Sequence, residues 1–533
     1  MSRADTATAP SPALAPALVV AALGAIAYAD SFAGVFVFDD ARHIVDNAGV
    51  HALWPLSRIF AAELNSTRPL VALTFALNYA VSGTSPWSYH LFNLLVHLAT
   101  AVTLFLLAHL TLRHERVPPA LREQALALAL CIAALWVVHP LHVGAVTYIT
   151  QRFESLMGLF YLLALYAFAR RRLVASLVLG ILAVLCKEVA LTLPAVVLLY
   201  DTVFVSSSWQ RALAARWKYY VSYGLPAAFV VVSHVAASGG RWAGFAHPTY
   251  SSWGYLCTQA VVLVHYLGAV FDPGLLAFDY FWPLVTDWRI IVPCGLAVLA
   301  LLAATLWAAL ERPALGFLGA AFFVILAPTS SLMPVSETIC DYRMYLPSMA
   351  VIALVVCGGA SLLGRRGRYG ALGAAVACLV LMGFTIRENS FFRSEDALWS
   401  EVVRRQPENA RAQNYVATLV ARRGERALAL AGYRESIRLD PTYLLARQNL
   451  APLLLEDKAY AEALVHLRAM LALGYPFPEE VYFNLGVALR GLGQQGEAEQ
   501  SFSRAVRLNP ELAPLVHERA AAEPQPKAVD SHP

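Results

Sequence analysis

Phe36-Val-Phe-Asp-Asp-Ala-Arg-His43 follows a long apolar run at about residues 13–33, and its two acids set the terms for the rest of the chain. Asp39 and Asp40 fall where a hydrophobic helix leaves a bilayer, with no counter-charge before Arg42. Adjacent carboxylates at a membrane surface are costly to desolvate and usually mark chemistry or an ion site. An interfacial turn whose acids stay in water is the plain alternative. The balance turns on how many other polar groups reach the same face.

The composition requires a membrane. The 533 residues are 58% hydrophobic and only 14% charged, with a mean hydropathy of +0.56, far too apolar for a soluble multidomain protein. A net charge of +4 is too small to point to nucleic acid. Lysine is scarce (Lys187, Lys218, Lys458 and Lys527) against many arginines, a GC-rich bacterial pattern. The 7 cysteines form no CxxC pair, so neither a disulfide framework nor a zinc site is indicated. Residues 13–29 are too long, and lack a small-residue cleavage site, for a cleaved signal, and read as a signal anchor.

Apolar runs recur near 13–33, 89–110, 124–138, 153–169, 173–186, 189–205, 219–236, 290–310, 314–328, 345–363 and 370–386, which predicts eleven spans. Arginines cluster in the loops at 113–122, 170–172, 211–218 and 365–368, so that side is expected to be cytoplasmic. Residues 254–272 are apolar enough to cross, but a crossing there would turn Arg365, Arg366 and Arg368 outward. They are therefore read as a re-entrant or interfacial helix on the outer face, with twelve spans as the alternative. The loop at 34–88, with Trp54, Phe60, Trp87 and Tyr89, is expected to hold helices lying at the interface.

The outer face then collects polar groups from separate hairpins. His139 and His142 precede Arg152 and Glu154; Lys187 and Glu188 cap the next hairpin; Glu337, Asp341 and Arg343 open a later span. Any one of these charges could simply snorkel or cap a helix. Together they share the face of Asp39 and Asp40. His90, Asn93 and His97 lie on one side of the second span and must point into the bundle, either as interhelical hydrogen bonds or as a headgroup path. His139 and His142 lack a defined third metal ligand. No cofactor is specified, and a divalent cation stays open.

The last third is different material. Pro407, Pro441, Pro476 and Pro510 recur at the 34-residue period of tetratricopeptide repeats. Tyr482, Leu485, Gly486, Leu489, Ala498, Phe502, Ala505 and Pro510 occupy the large, small and terminating positions of the clearest repeat. The expected organisation is all-α: a multi-span membrane domain over 1–388, a repeat solenoid over 389–520, and a disordered tail over 521–533.

In order along the membrane part stand Phe38-Asp39-Asp40, Arg68-Pro69-Leu70, Tyr89-His90-Leu91-Phe92-Asn93, His139-Pro140-Leu141-His142, Arg152 with Glu154, Lys187-Glu188, and Tyr342-Arg343-Met344-Tyr345-Leu346-Pro347. No single motif is specific; the ordered set is. It resembles the TMTC-type O-mannosyltransferases and their bacterial relatives, membrane enzymes with tetratricopeptide repeats, similar in design to protein O-mannosyltransferases of the GT-C fold. Two departures stand out. Gly144 occupies a position where the family pattern leads one to expect an acid, and the repeats are few.

The resemblance implies transfer of a sugar, mannose or another hexose, from a polyprenyl-phosphate donor to a hydroxyl, most often Ser or Thr of an exported protein. It places such a protein in a bacterial inner membrane with site and repeats facing the periplasm. The residue chemistry agrees: one carboxylate takes the acceptor proton, and cations hold the departing phosphate. Asp39 or Asp40 would be the base, Asp39 favoured by analogy with the Phe-Asp-Glu pattern of protein O-mannosyltransferases. Arg152, Lys187 and Arg343 would bind phosphate, with His90, His139, His142, Glu154, Glu188 and Asp341 in support. Expected partners are the lipid-linked donor, membrane lipid and an acceptor protein held by the repeats. Two other classes compete: a scaffold anchoring the repeats, and a lipid-linked glycan transporter, which should show inverted repeats and broken helices.

Overall fold

The computed structural model describes residues 13–61, 65, 67–224, 250–364 and 367–521, and the regular elements among them are helical. Two compact units result, one of Met1–Phe278 with Trp282–Glu395, the other of Asp279–Phe281 with Asp396–Pro533.

In the first unit, seven helices are long and apolar enough to cross a membrane: Leu14–Ala33, Trp87–Leu112, Ile149–Ala169, Glu188–Val205, Ser252–Phe271, Trp288–Glu311 and Tyr369–Phe391. Ala125–Val137 and Pro140–Val146 form one further path bent by 54°, where Pro140 cannot donate to the helix ladder. Leu173–Val184, Pro313–Leu326 and Pro347–Leu363 are shorter apolar helices. At 1.5 Å per residue they fall short of a hydrocarbon core about 30 Å thick, so they cross only together with their flanking turns. The expected seventh path, 219–236, lies mostly outside the described residues, as do Arg365, Arg366 and the tail from residue 522. Leu299 and Leu310, 62% and 82% exposed, present the apolar surface that lipid would cover.

Ser252–Phe271 satisfies the length and apolarity criteria for a span, and three of its polar side chains bond to a single loop. Tyr255 donates to the Thr329 carbonyl (2.7 Å), Gln259 to that of Thr338 (2.9 Å) and Tyr266 to that of Cys340 (2.9 Å). All three acceptors belong to the loop between Pro313–Leu326 and Pro347–Leu363. Residues 282–287 run irregularly beside the helix, the Val285 N–H donating to Thr258 at 2.9 Å. The helix therefore counts among the candidate spans and is bonded along its length to that one loop. The loop expected at 34–88 contains a helix of its own, Pro69–Ser82, opened by proline and closed at Gly83, whose φ is 58°.

The second unit stacks three helical hairpins: Ala410–Arg422 with Arg426–Leu439, Leu444–Glu456 with Tyr460–Ala472, and Pro478–Gly491 with Gln495–Leu508. Ala429, Tyr433, Leu450, Leu454, Ala463, Leu485 and Phe502 share one apolar core. Gly486 lets the last two helices approach: a Cβ there would stand 2.6 Å from the Phe502 ring. The turn inside each hairpin needs a left-handed residue, supplied by Gly424 (φ 81°), Lys458 (φ 59°) and Gly493 (φ 79°).

Candidate active site

The Asp-Asp stretch does not run extended. Phe38 takes a left-handed conformation (φ 49°), rare for a bulky residue, and turns the chain directly into a helical segment from Asp39 to Val45. This separates the two acids by environment. Asp40 is fully buried. Its Oδ2 accepts from the Val37 N–H (3.0 Å) and its Oδ1 from the Thr150 N–H (2.7 Å) and hydroxyl. Burial lifts its carboxyl to about 7, with those hydrogen bonds opposing the rise. Asp39 is half-buried, and its backbone N–H donates to the Tyr148 hydroxyl at 3.1 Å. Burial, and then the charges of Asp39 and Asp40, hold that phenol well above its ordinary range; Tyr342 is a further neighbour.

Tyr342 leads to the cations. The Lys187 ammonium lies 5.1 Å from its ring centre and is ion-paired with Glu154; both charged side chains are buried. Arg68 pairs with Glu188 at 3.3 Å, each partly exposed, and its guanidinium rests 4.4 Å above the Phe153 ring. His43 meets the same ring edge-on at 5.4 Å. Burial, then Arg68 and Arg42, lower its imidazole to about 4, so it is neutral at pH 7. Arg343 donates to the carbonyls of Glu337 (2.7 Å) and Thr338 (3.4 Å), while Asp341 accepts from the Ala277 N–H at 3.1 Å.

Arg152 is placed differently from the expected phosphate ligand. It is fully buried, and its guanidinium donates to Asn93 (2.6 Å), Thr74 (3.1 Å), Asn78 (2.7 Å) and the Tyr89 carbonyl (3.1 Å). Four of the five N–H groups that a guanidinium carries are thereby committed. It pins the Pro69–Ser82 and Trp87–Leu112 helices to its own, and Thr150, two residues before it, clamps Asp40.

Four histidines are buried in the same unit. His90 reaches the Gly34 carbonyl at 3.2 Å, and His97 joins the Tyr345 hydroxyl (2.9 Å) and the Val137 carbonyl (3.0 Å). His139 reaches the Val270 carbonyl at 2.9 Å, and His142 packs 4.5 Å from the Trp136 ring. Among the described residues no three His, Cys, Asp or Glu side chains converge as a metal set. Gly144 faces Tyr342, a Cβ there standing 4.0 Å from the tyrosine's own. An acid at that position would thus border this site.

Residues 479–512 match the tetratricopeptide repeat model. Across 83% of its length the chain is 28% identical to the human protein O-mannosyl-transferase TMTC1, and across 78% it is 27% identical to human TMTC4. The mouse protein O-mannosyl-transferase TMTC3 is 30% identical over 36% of the chain. The chain is thus similar to TMTC-type protein O-mannosyl-transferases. It spans 57%, 65% and 22% of those three proteins, less than two thirds of each. It is a multi-pass membrane protein with a tetratricopeptide segment.

Arg68, His43, Tyr148, Thr150 and Tyr342 complete the cluster without having been singled out individually for roles there. Arg68, Tyr342 and His43 stand in stretches noted in the sequence. Tyr148 and Thr150 carry no local signal, since their roles depend on Asp39 and Asp40, more than 100 positions away.

Proposed function

We propose that this protein transfers mannose or a similar hexose from a polyprenyl-phosphate donor to Ser or Thr hydroxyls of an exported protein. The observation that carries this reading is the division of labour in the acidic pair. Asp40 is immobilised by three donors, whereas Asp39 is half-buried, with its N–H on Tyr148 and that tyrosine's neighbour Tyr342 carrying Lys187 against its ring. The names of the related proteins support the same chemistry.

In this reading the acceptor oxygen attacks the anomeric carbon, the bond from that carbon to the phosphate oxygen breaks, and Asp39 takes the hydroxyl proton. Polyprenyl phosphate leaves as an anion. Arg68, Lys187 and Arg343 are assigned to its charge, Arg being suited to bidentate contact. Arg152 is assigned to holding the scaffold. A single inverting displacement follows if no second acid lies close enough to the anomeric carbon to act as nucleophile.

The test is transfer from polyprenyl-phosphate mannose to a Ser/Thr peptide by purified protein in detergent, read by mass spectrometry. Asp39→Asn is nearly isosteric and should lower turnover by about 10²–10⁴-fold with an unchanged melting temperature. Wild-type turnover by that variant would end the assignment of Asp39. The repeats are proposed to present the acceptor protein. Removing residues 408–533 should impair modification of whole proteins while sparing a short peptide; loss of both activities in a stably folded truncation would refute presentation.

A further inference from the structure

A second feature of the first unit lies away from the acids. A cavity of about 490 Å³ runs between the Trp87–Leu112, Pro313–Leu326 and Pro347–Leu363 helices, from Tyr161 and Leu346 at its inner end to Arg116, Arg312 and Ser361 at its mouth. Its walls are apolar over most of that length, and Leu315 and Leu354, both exposed, border it on the bilayer side.

The two ends of one helix place this mouth relative to the candidate site. Asn93, near the start of Trp87–Leu112, bonds to the carbonyls of Val146 and Ile149 beside the Asp40 clamp. Thr111 and Leu112, at its far end, border the mouth. Eighteen helical residues separate Asn93 from Thr111, a rise of about 27 Å, close to the depth of a hydrocarbon core. The mouth therefore opens on the membrane face opposite the acids.

A slot apolar from mid-membrane outward and ending in two surface arginines has the polarity of a lipid: hydrocarbon inside, anion at the interface. Arg116 and Arg312 are both exposed, and among the described residues neither is held in an ion pair with Glu311, the one acid at the rim. A volume of this size lies in the range that takes a drug-sized apolar ligand, so one hydrocarbon chain fits. We propose that this cavity is a binding site for a bilayer phospholipid with an anionic headgroup, seated by Arg116 and Arg312. The site is separate from the sugar-transfer chemistry proposed above and stands or falls without it.

The test uses delipidated whole protein in detergent, mixed with phosphatidylglycerol or phosphatidylcholine of matched chains and examined by native mass spectrometry. Wild type should retain one phosphatidylglycerol, with a preference of about tenfold or more over phosphatidylcholine, given the attraction of two arginines at a membrane surface. The surface double variant Arg116→Gln/Arg312→Gln should retain lipid with the preference reduced to near one. Gly358→Phe should lose both lipids at an unchanged melting temperature, because a Cβ at Gly358 meets no atom within 4 Å and the ring can enter the slot. Equal retention of the two lipids by wild type would overturn the proposal. So would an unaltered preference in the double variant, which removes only exposed charge and so decides the matter even where Gly358→Phe fails to fold.

Discussion

Asp39 and Asp40 are neighbours in sequence and opposites in environment. The left-handed Phe38 and the helical turn after it send one carboxylate to the rim and the other into the protein. Asp40 is thus expected to matter for stability before it matters for chemistry. Asp40→Asn keeps the volume but sets an amide N–H against the Val37 or Thr150 N–H, which should cost about 1–3 kcal/mol in unfolding experiments. The pH dependence has a definite sign. Asp40 holds its proton up to about 7 in the folded protein, against an ordinary value of 3.8. The stabilisation from that bound proton is full below about pH 4 and is lost as pH rises through about 7. Melting temperature measured from pH 4 to 8 should therefore fall less steeply in Asp40→Asn than in wild type. Parallel curves would show that Asp40 does not hold a proton in this range. Arg152 illustrates the complementary point: an arginine conspicuous in the sequence is spent on four protein acceptors, whereas Arg68, quoted only within a motif, stands at the rim.

At the scale of elements, the repeat hairpins show one local compromise. Gly424 and Gly493 occupy the left-handed turn of their hairpins without steric cost, whereas the middle hairpin places Lys458 there at φ 59°. A side chain in that region costs about 1–2 kcal/mol, offset in part by the greater chain entropy that glycine loses on folding. Lys458→Gly should therefore stabilise the repeat unit by about 0.5–1 kcal/mol, read as a shift in its denaturant midpoint. A loss of stability would mean that the exposed lysine contributes a contact worth more than the backbone strain. The Ser252–Phe271 helix teaches a different lesson. Its length and apolarity suit a span, and its polar side chains bond to 329–340 and to the irregular chain beside it.

For the whole molecule, the arginine-rich loops and the acidic face should lie on opposite sides of the membrane. Single cysteines introduced at 171 and at the exposed position 332, in a variant lacking native thiols, should differ in access to a membrane-impermeant reagent applied from outside, with 332 labelled and 171 protected. Labelling of both from outside would contradict the interfacial reading of 254–272 made from the sequence or the orientation drawn from the arginines.

What the sequence determined by itself was whatever local physics enforces. Apolar runs that water would not tolerate predicted the membrane helices, a 34-residue period predicted the repeat hairpins, and charges at helix ends predicted the polar face. The His90, Asn93 and His97 stripe was legible for the same reason, since helical periodicity alone turns it inward, and all three are buried. Only the tertiary structure decided which acid is clamped and which stands at the rim. That difference rests on Thr150, Val37 and Tyr148, and no local pattern links residue 40 to residue 150. The placement of Arg152 and the apolar cavity were likewise beyond the sequence, because each is set by partners that only chain folding brings within reach.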